Sequence, residues 1–229
     1  MVSPADAERL RLAQVGVRRL VERDLAEFWA SLNLDRPEAA RDALLEFVPL
    51  LVEQYGESSA AIAADWYDDQ RDLAGVRGRF RADMASSPYL DAVEPTVRRA
   101  AGALFTTTPG EALVALTASS GKYALAAGRQ TIVGATGRDP RASGWQRVTR
   151  PGACGFCRML HGRGAVYRES TVHFAAHGEC NCAAVPSWDA SAPEVDVRLY
   201  EASKRTTAMT PEQKAEHNAL IRRAIDQYA

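Results

Sequence analysis

The chain has 229 residues, of which 46% are hydrophobic, and its formal net charge is −1 with a pI near 6.4. This balance argues against a protein that coats nucleic acid by charge alone, which would be clearly basic. No basic start followed by an apolar run predicts a signal peptide, and no apolar run is long enough to predict a membrane span. We therefore expect a soluble, mainly helical chain of one or two domains, made in a reducing compartment.

The N-terminal region is predicted to begin with two amphipathic helices, because apolar residues recur there at three- and four-residue steps. The first covers residues 3–33, with Ser3 as its cap. The second opens at a capping box, Asp35–Glu38, and contains Pro49, which should kink it or shift its start. Gly56 is predicted to end this second helix.

Three more helices are predicted before the chain changes character. They begin after Ser59, near Val93, and at the capping box Thr108–Glu111. The arginine-containing stretch between the first two of these, residues 71–81, is interpreted as a solvated loop rather than a phosphate-binding segment.

Glycines at positions 128, 134 and 137 then interrupt the helical periodicity, which predicts a domain boundary near residue 138. The predicted organisation is a helical domain over residues 1–137, a Cys/His zinc-binding module over 138–190 and a C-terminal helical tail over 191–229. Short strands are predicted at Trp145–Arg150 and Ala183–Pro186 within the module, which makes it α+β. A last helix is predicted to begin at Thr210, which would cap it together with Gln213.

The cysteine pattern is the most specific feature of the sequence. All 4 cysteines lie in two close pairs, Cys154 with Cys157 and Cys180 with Cys182, and His177 precedes the second pair. Two pairs of soft donors that bracket one loop are what a tetrahedral zinc ion needs. We therefore predict a structural Zn²⁺ ion, which would supply on the order of 10 kcal/mol to fold a module with few large apolar residues.

Five donors compete for the four places around this ion. The simplest ligand set is the four cysteines, and in the competing set His177 replaces Cys180 or Cys182. Residues two apart on a strand share a face, which favours binding by both Cys180 and Cys182. His161 and His173 are weaker candidates.

Other interpretations of the same residues stay open. The thiols could be small core residues, or they could form two disulfides outside a reducing compartment. A catalytic zinc would use Glu169 or Glu179 as its base. In a thiol protease, Cys154 or Cys157 would be the nucleophile and His173 or His177 the base. Glu179 or Asp189 would be the carboxylate that orients the base. Because five candidate ligands favour a closed site, we predict no catalytic residue and do not expect an enzyme.

Four motifs surround the cysteines: Trp145–Val148, Cys154–Leu160, Arg163–Tyr167 and His177–Cys182, followed by Pro186. Over residues 145–188 they resemble the MuF-like minor capsid proteins of tailed bacteriophages, most closely the versions found in phages of actinobacteria. The helical remainder agrees with that family in length and character.

The resemblance implies a structural virion protein at the portal vertex and capsid interior, made in the host bacterial cytoplasm, that aids head assembly or genome delivery. It implies the portal protein and the major capsid protein as partners, and no membrane. Some relatives are labelled capsid maturation proteases, so proteolysis of head proteins is the alternative function. Contact with packaged DNA is also open, because five arginines make the module locally basic: Arg147, Arg150, Arg158, Arg163 and Arg168.

Overall fold

A computed structural model describes residues 2–150, 152–162, 166–168, 174, 180–194 and 209–226. Within these residues the fold is mainly helical with one small sheet, as the sequence predicted. The helices are α1 (Pro4–Ala30), α2 (Pro37–Leu73), α3 (Leu90–Ala100), α4 (Gly110–Arg138), α5 (Gly155–Gly162) and α6 (Pro211–Asp226), and a short 3₁₀ helix, Ala101–Phe105, follows α3. The strands are β1 (Gly144–Val148) and β2 (Ala183–Ser187). None of the described helices combines the length and apolar character needed to cross a bilayer.

Two of the predicted helix caps are confirmed. The Ser3 hydroxyl accepts a hydrogen bond from the Asp6 amide at 3.1 Å, at the start of α1. At the start of α6, the Gln213 amide donates to Thr210 Oγ1 at 3.3 Å, and the Thr210 amide donates back to Gln213 Oε1 at 3.0 Å. This reciprocal pair is the predicted capping box.

The other two capping boxes are wrong. Arg36 rather than Asp35 caps α2, and it makes no side-chain cap hydrogen bond. Pro109 rather than Thr108 caps α4, again without a side-chain bond. The Asp35 and Thr108 amides instead donate to side chains two residues earlier, so both residues belong to the preceding turns.

The glycines inside α2 and α4 do not end these helices, which corrects the predicted breaks. α2 runs through Gly56 and Ser59, and α4 runs through Gly128. The Gly128 amide donates to Ser59 Oγ at 3.2 Å, and a Cβ on Gly128 would lie 2.5 Å from that oxygen. The absence of a side chain therefore lets α2 and α4 approach closely where they cross.

α4 is the central element of the structure. It contacts α1, α2, α3 and both strands, so the helical part and the small sheet share it. One apolar cluster contains Tyr67 of α2 and Ile132 of α4 together with Trp145 and Cys157 from the segment after residue 138. The predicted domain boundary at residue 138 stays a prediction, but the residues on its two sides share a core.

β1 and β2 pair in antiparallel fashion, with Trp145 opposite Pro186 and Arg147 opposite Ala184. Tyr167 pairs with the other edge of β1, since the Trp145 and Tyr167 backbones exchange hydrogen bonds of 3.0 and 2.7 Å. Their rings stack with centroids 4.3 Å apart. The sheet thus brings residues of two of the sequence motifs together with Pro186.

A buried ion pair joins this sheet region to α2. Arg71 Nε donates to Asp139 Oδ2 at 2.9 Å, and the two side chains are only 4% and 0% exposed. Tyr67 OH and Trp188 Nε1 each donate to the same oxygen at 3.1 Å. Arg71 therefore belongs to the core and not to a solvated arginine-containing stretch, which corrects that expectation.

Candidate metal centre

Three of the five predicted metal ligands come together in the structure. The sulfur atoms of Cys157, Cys180 and Cys182 all lie within 4.8 Å of one another, and all three residues are buried. The sulfurs of Cys157 and Cys180 lie 4.0 Å apart. The three thiols are close enough to bind one metal ion.

The positions of α5 and of the segment before β2 explain why these three sulfurs lie close together. Cys157 lies on the buried face of α5, and Cys180 and Cys182 lie in the segment that leads into β2. Asn181, between them, points the other way, with its Oδ1 3.5 Å from Arg18 Nη1 of α1. The two cysteines thus share one face, as their spacing predicted.

The other predicted donors are placed differently. Cys154 is exposed just before α5 and lies outside the group of three sulfurs. His177 and His173 lie outside the described residues. His161 is not in the group, and its Nδ1 lies 2.9 Å from the Arg147 carbonyl oxygen. Which residue would supply a fourth ligand therefore stays a prediction, with Cys154 and His177 as the choices.

No disulfide joins the four cysteines in the structure. The buried thiols do belong to an apolar cluster, which also contains Trp145, Tyr167 and Phe174. Burial alone would not require three sulfurs to converge on one point. Their convergence is what distinguishes a candidate metal centre from ordinary small core residues.

Two buried arginines flank the thiols. Arg129 of α4 donates from Nε to the Cys182 carbonyl at 3.1 Å and from Nη2 to the Cys180 carbonyl at 2.5 Å. Arg147 of β1 places Nη1 3.9 Å from the Cys180 sulfur. Both guanidinium groups also lie over the Phe174 ring, 4.9 and 3.8 Å from its centroid.

Sequence reasoning missed the role of both arginines. Arg147 was assigned to a basic surface, but it is only 2% exposed and does not contribute to one. Arg129 was not singled out. Its signal was present, since it is the one charged residue in the small and apolar stretch Tyr123–Gly137 of α4.

The three thiols do not titrate alike. Hydrogen bonds from Cys157 and Cys182 lower the pKa of Cys180, against the effect of burial, and the charge of Arg129 lowers it further. The pKa of Cys157 is raised, chiefly by its hydrogen bonds with Cys180 and Cys182 and by burial. The positive charge of Arg129 thus favours the thiolate of Cys180, the form that binds metals.

The geometry is suited to holding an ion more than to attacking a substrate. Reactive thiols are partly exposed, whereas these three are buried. A cavity of about 440 Å³ lies at the end of α4, lined in part by Asp139, Trp145 and Arg168, and no cysteine or histidine is among its lining residues. None of the four cysteines therefore lines that cavity.

Comparison with known protein families matches residues 1–205 to the VG15 protein family, a viral or phage protein family. No curated protein and no solved structure matches the chain. The family match covers well over half of the sequence and includes both the helical part and the cysteine cluster. The chain therefore belongs to the VG15 protein family.

Proposed function

We propose that this chain is a structural component of the phage particle, a minor head protein of the MuF-like type located at the portal vertex and capsid interior. Its role is to aid head assembly or genome delivery rather than to catalyse a reaction. Membership in a phage protein family supports a viral role. The motifs between residues 145 and 188 support the finer assignment, since they resemble the MuF-like proteins.

The observation that carries the structural role is the burial of three converging thiols, Cys157, Cys180 and Cys182, against the helical part of the chain. A metal bound there would join α5 to the segment before β2. Such an ion would hold two distant parts of the chain together without needing access to solvent. This is the arrangement of a structural site, whereas a catalytic site keeps a position open to water.

The donor set fits Zn²⁺. Sulfur ligands about 2.3 Å from a tetrahedral zinc ion lie about 3.8 Å from one another. The Cys157 and Cys180 sulfurs, 4.0 Å apart, need to move little to reach that separation. Cys182 supplies a third thiolate, and Cys154 or His177 completes the shell.

The proposed partners are the portal protein and the major capsid protein. Leu12 and Leu20 of α1 are 54% and 39% exposed, and Leu220 of α6 is 48% exposed. These apolar side chains support α1 and α6 as the helices that dock on head proteins. Arg150 and Arg158, which are both exposed, are the proposed residues for contact with packaged DNA.

Protease protection in purified particles tests the proposed location. The chain should be detected by mass spectrometry at low copy relative to the major capsid protein. It should resist protease added to intact particles and become sensitive once the heads are opened. Absence from purified particles, or digestion in intact ones, would refute the proposal.

The same particles test the protease alternative. If the chain cleaves head proteins, Cys154→Ser or Cys157→Ser should leave it folded while uncleaved major capsid protein accumulates. The structural role instead predicts normal processing of the major capsid protein and loss of the module's fold in Cys157→Ser.

A further inference from the structure

We propose that Arg129 is a positioning residue for the metal centre, and that its hydrogen bonds to the cysteine segment couple the docking of that segment onto α4 to the bound metal. This inference rests on the metal site of the proposed function. It adds to that site a residue from the helical part of the chain, 51 and 53 positions away from Cys180 and Cys182.

The contacts of Arg129 connect α4 directly to the metal-binding segment. Its Nε and Nη2 donate to the carbonyl oxygens of Cys182 and Cys180, at 3.1 and 2.5 Å. These two bonds fix the backbone on both sides of Asn181 and thereby orient the two cysteine side chains toward Cys157. Groups that orient metal ligands in this way are part of the site although they do not touch the metal.

The charge of Arg129 has no carboxylate partner among the described residues, although its side chain is buried. Its Nη1 is buried and has no hydrogen-bond partner there either. By contrast, the arginines of α1 that face the same segment have acidic neighbours, since Arg11 pairs with Glu8 and Arg18 with Glu22. A buried cation without a counter-charge is strongly unfavourable, so Arg129 needs negative charge from the thiol cluster.

A metal-loaded cluster supplies that charge. A zinc ion with three thiolates carries one net negative charge, and with four thiolates it carries two. The guanidinium of Arg129, bound to the Cys180 and Cys182 carbonyl groups, lies next to this cluster. Without the metal the sulfurs are no longer tied to one point, so the Cys180 and Cys182 carbonyl groups that Arg129 binds are held less firmly. Loss of the metal should therefore weaken the packing of the segment before β2 against α4.

Hydrogen exchange of the intact wild-type chain tests this coupling. Amides of β2 and of α4 around Arg129 should lose protection when a strong chelator removes the zinc. Amides of α3 should change little, because α3 packs against α2 and α4 and lies in a different apolar cluster. Unchanged protection of β2 and α4 in the zinc-free chain would overturn the proposal.

Two substitutions separate charge from hydrogen bonding. Arg129→Gln keeps one donor group and removes the charge, while Arg129→Lys keeps the charge. We expect Arg129→Gln to weaken zinc binding about 10- to 100-fold, the usual effect of losing a group that orients metal ligands. Arg129→Lys should recover a large part of that loss. Competition with a chromophoric chelator measures both affinities.

Arg138→Gln is the matched control, because Arg138 lies on the same helix with a half-exposed side chain paired to Asp83. It should bind zinc like the wild type. In the cobalt-substituted proteins, the thiolate-to-cobalt absorption should weaken in Arg129→Gln and return in Arg129→Lys. Wild-type affinity in Arg129→Gln would overturn the proposal.

The outcomes distinguish this inference from the proposed function. A wild-type chain that binds no zinc overturns the metal centre and the role of Arg129 together, while its location in the particle is tested separately. If Arg129→Gln binds zinc as tightly as the wild-type chain does, only the role of Arg129 is overturned. If Arg129→Gln fails to fold, Arg129→Lys and the exchange experiment on the wild type still test the role of Arg129.

Discussion

Replacing Asp139 should destabilise the chain more than replacing any exposed carboxylate. Its carboxylate accepts hydrogen bonds from Arg71, Tyr67 and Trp188, at 2.9, 3.1 and 3.1 Å. Asp139→Ala leaves the Arg71 guanidinium, 4% exposed, without its counter-charge. Breaking a buried ion pair by removing one partner costs about 3–5 kcal/mol. We expect a loss in that range for Asp139→Ala, and about 1–3 kcal/mol for Asp139→Asn, which still accepts hydrogen bonds.

Urea unfolding followed by helical circular dichroism measures these losses, with the slope of the transition checked for each variant. Asp83→Ala is the matched control, because Asp83 is 81% exposed and pairs with a half-exposed arginine, Arg138. It should change the free energy of unfolding by less than about 1 kcal/mol. If Asp139→Ala unfolds at the same urea concentration as Asp83→Ala, the buried network does not join the sheet region to α2 as described.

Three further predictions concern stability, metal binding and pH. Gly128→Ala should lower the free energy of unfolding by about 1–3 kcal/mol, since its Cβ would lie 2.5 Å from Ser59 Oγ. Gly16→Ala, where nothing lies within 4 Å, should raise it by up to about 1 kcal/mol, and the reverse order in urea titrations would contradict the α2–α4 packing. Cys180→Ser should abolish stoichiometric zinc binding in metal analysis, and retention of one tightly bound zinc would exclude Cys180 as a ligand. Burial tends to raise the pKa of Asp139, but hydrogen bonds from Arg71, Trp188 and Tyr67 hold it below its ordinary value. The ionised Asp139 therefore stabilises the fold fully above its ordinary pKa near 3.9, and this stabilisation is lost as the pH falls through the lowered pKa. Acid titrations should therefore show a steeper loss of stability in the wild type than in Asp139→Asn, and equal slopes would contradict this.

Helix ends were predictable where the cap is formed by nearby residues. Ser3 and Thr210 are bound by residues three positions away, so the local sequence contains the whole interaction. The glycines at 56 and 128 were interpreted as breaks, because local sequence does not reveal a neighbouring helix. The small size of Gly128 is required by the α2–α4 crossing, which joins residues about 70 positions apart.

The candidate site, like the helix ends, was predictable only where the interaction depends on nearby residues. Spacing alone predicted that Cys180 and Cys182 share a face, and the structure places their sulfurs with that of Cys157. Spacing could not predict that Arg129, from a helix about 50 residues earlier, would bind both of their carbonyl groups. It also favoured Cys154 as a ligand equal to Cys157, whereas the structure leaves Cys154 exposed and outside the group.

A zinc-edge X-ray absorption spectrum of the purified chain, combined with metal analysis, tests the metal centre most directly. We expect about one zinc per chain, with at least three sulfur ligands at about 2.3 Å and no open coordination position. A chain purified without metal that keeps its fold, or a zinc ion bound only through nitrogen and oxygen, would contradict a centre formed by Cys157, Cys180 and Cys182.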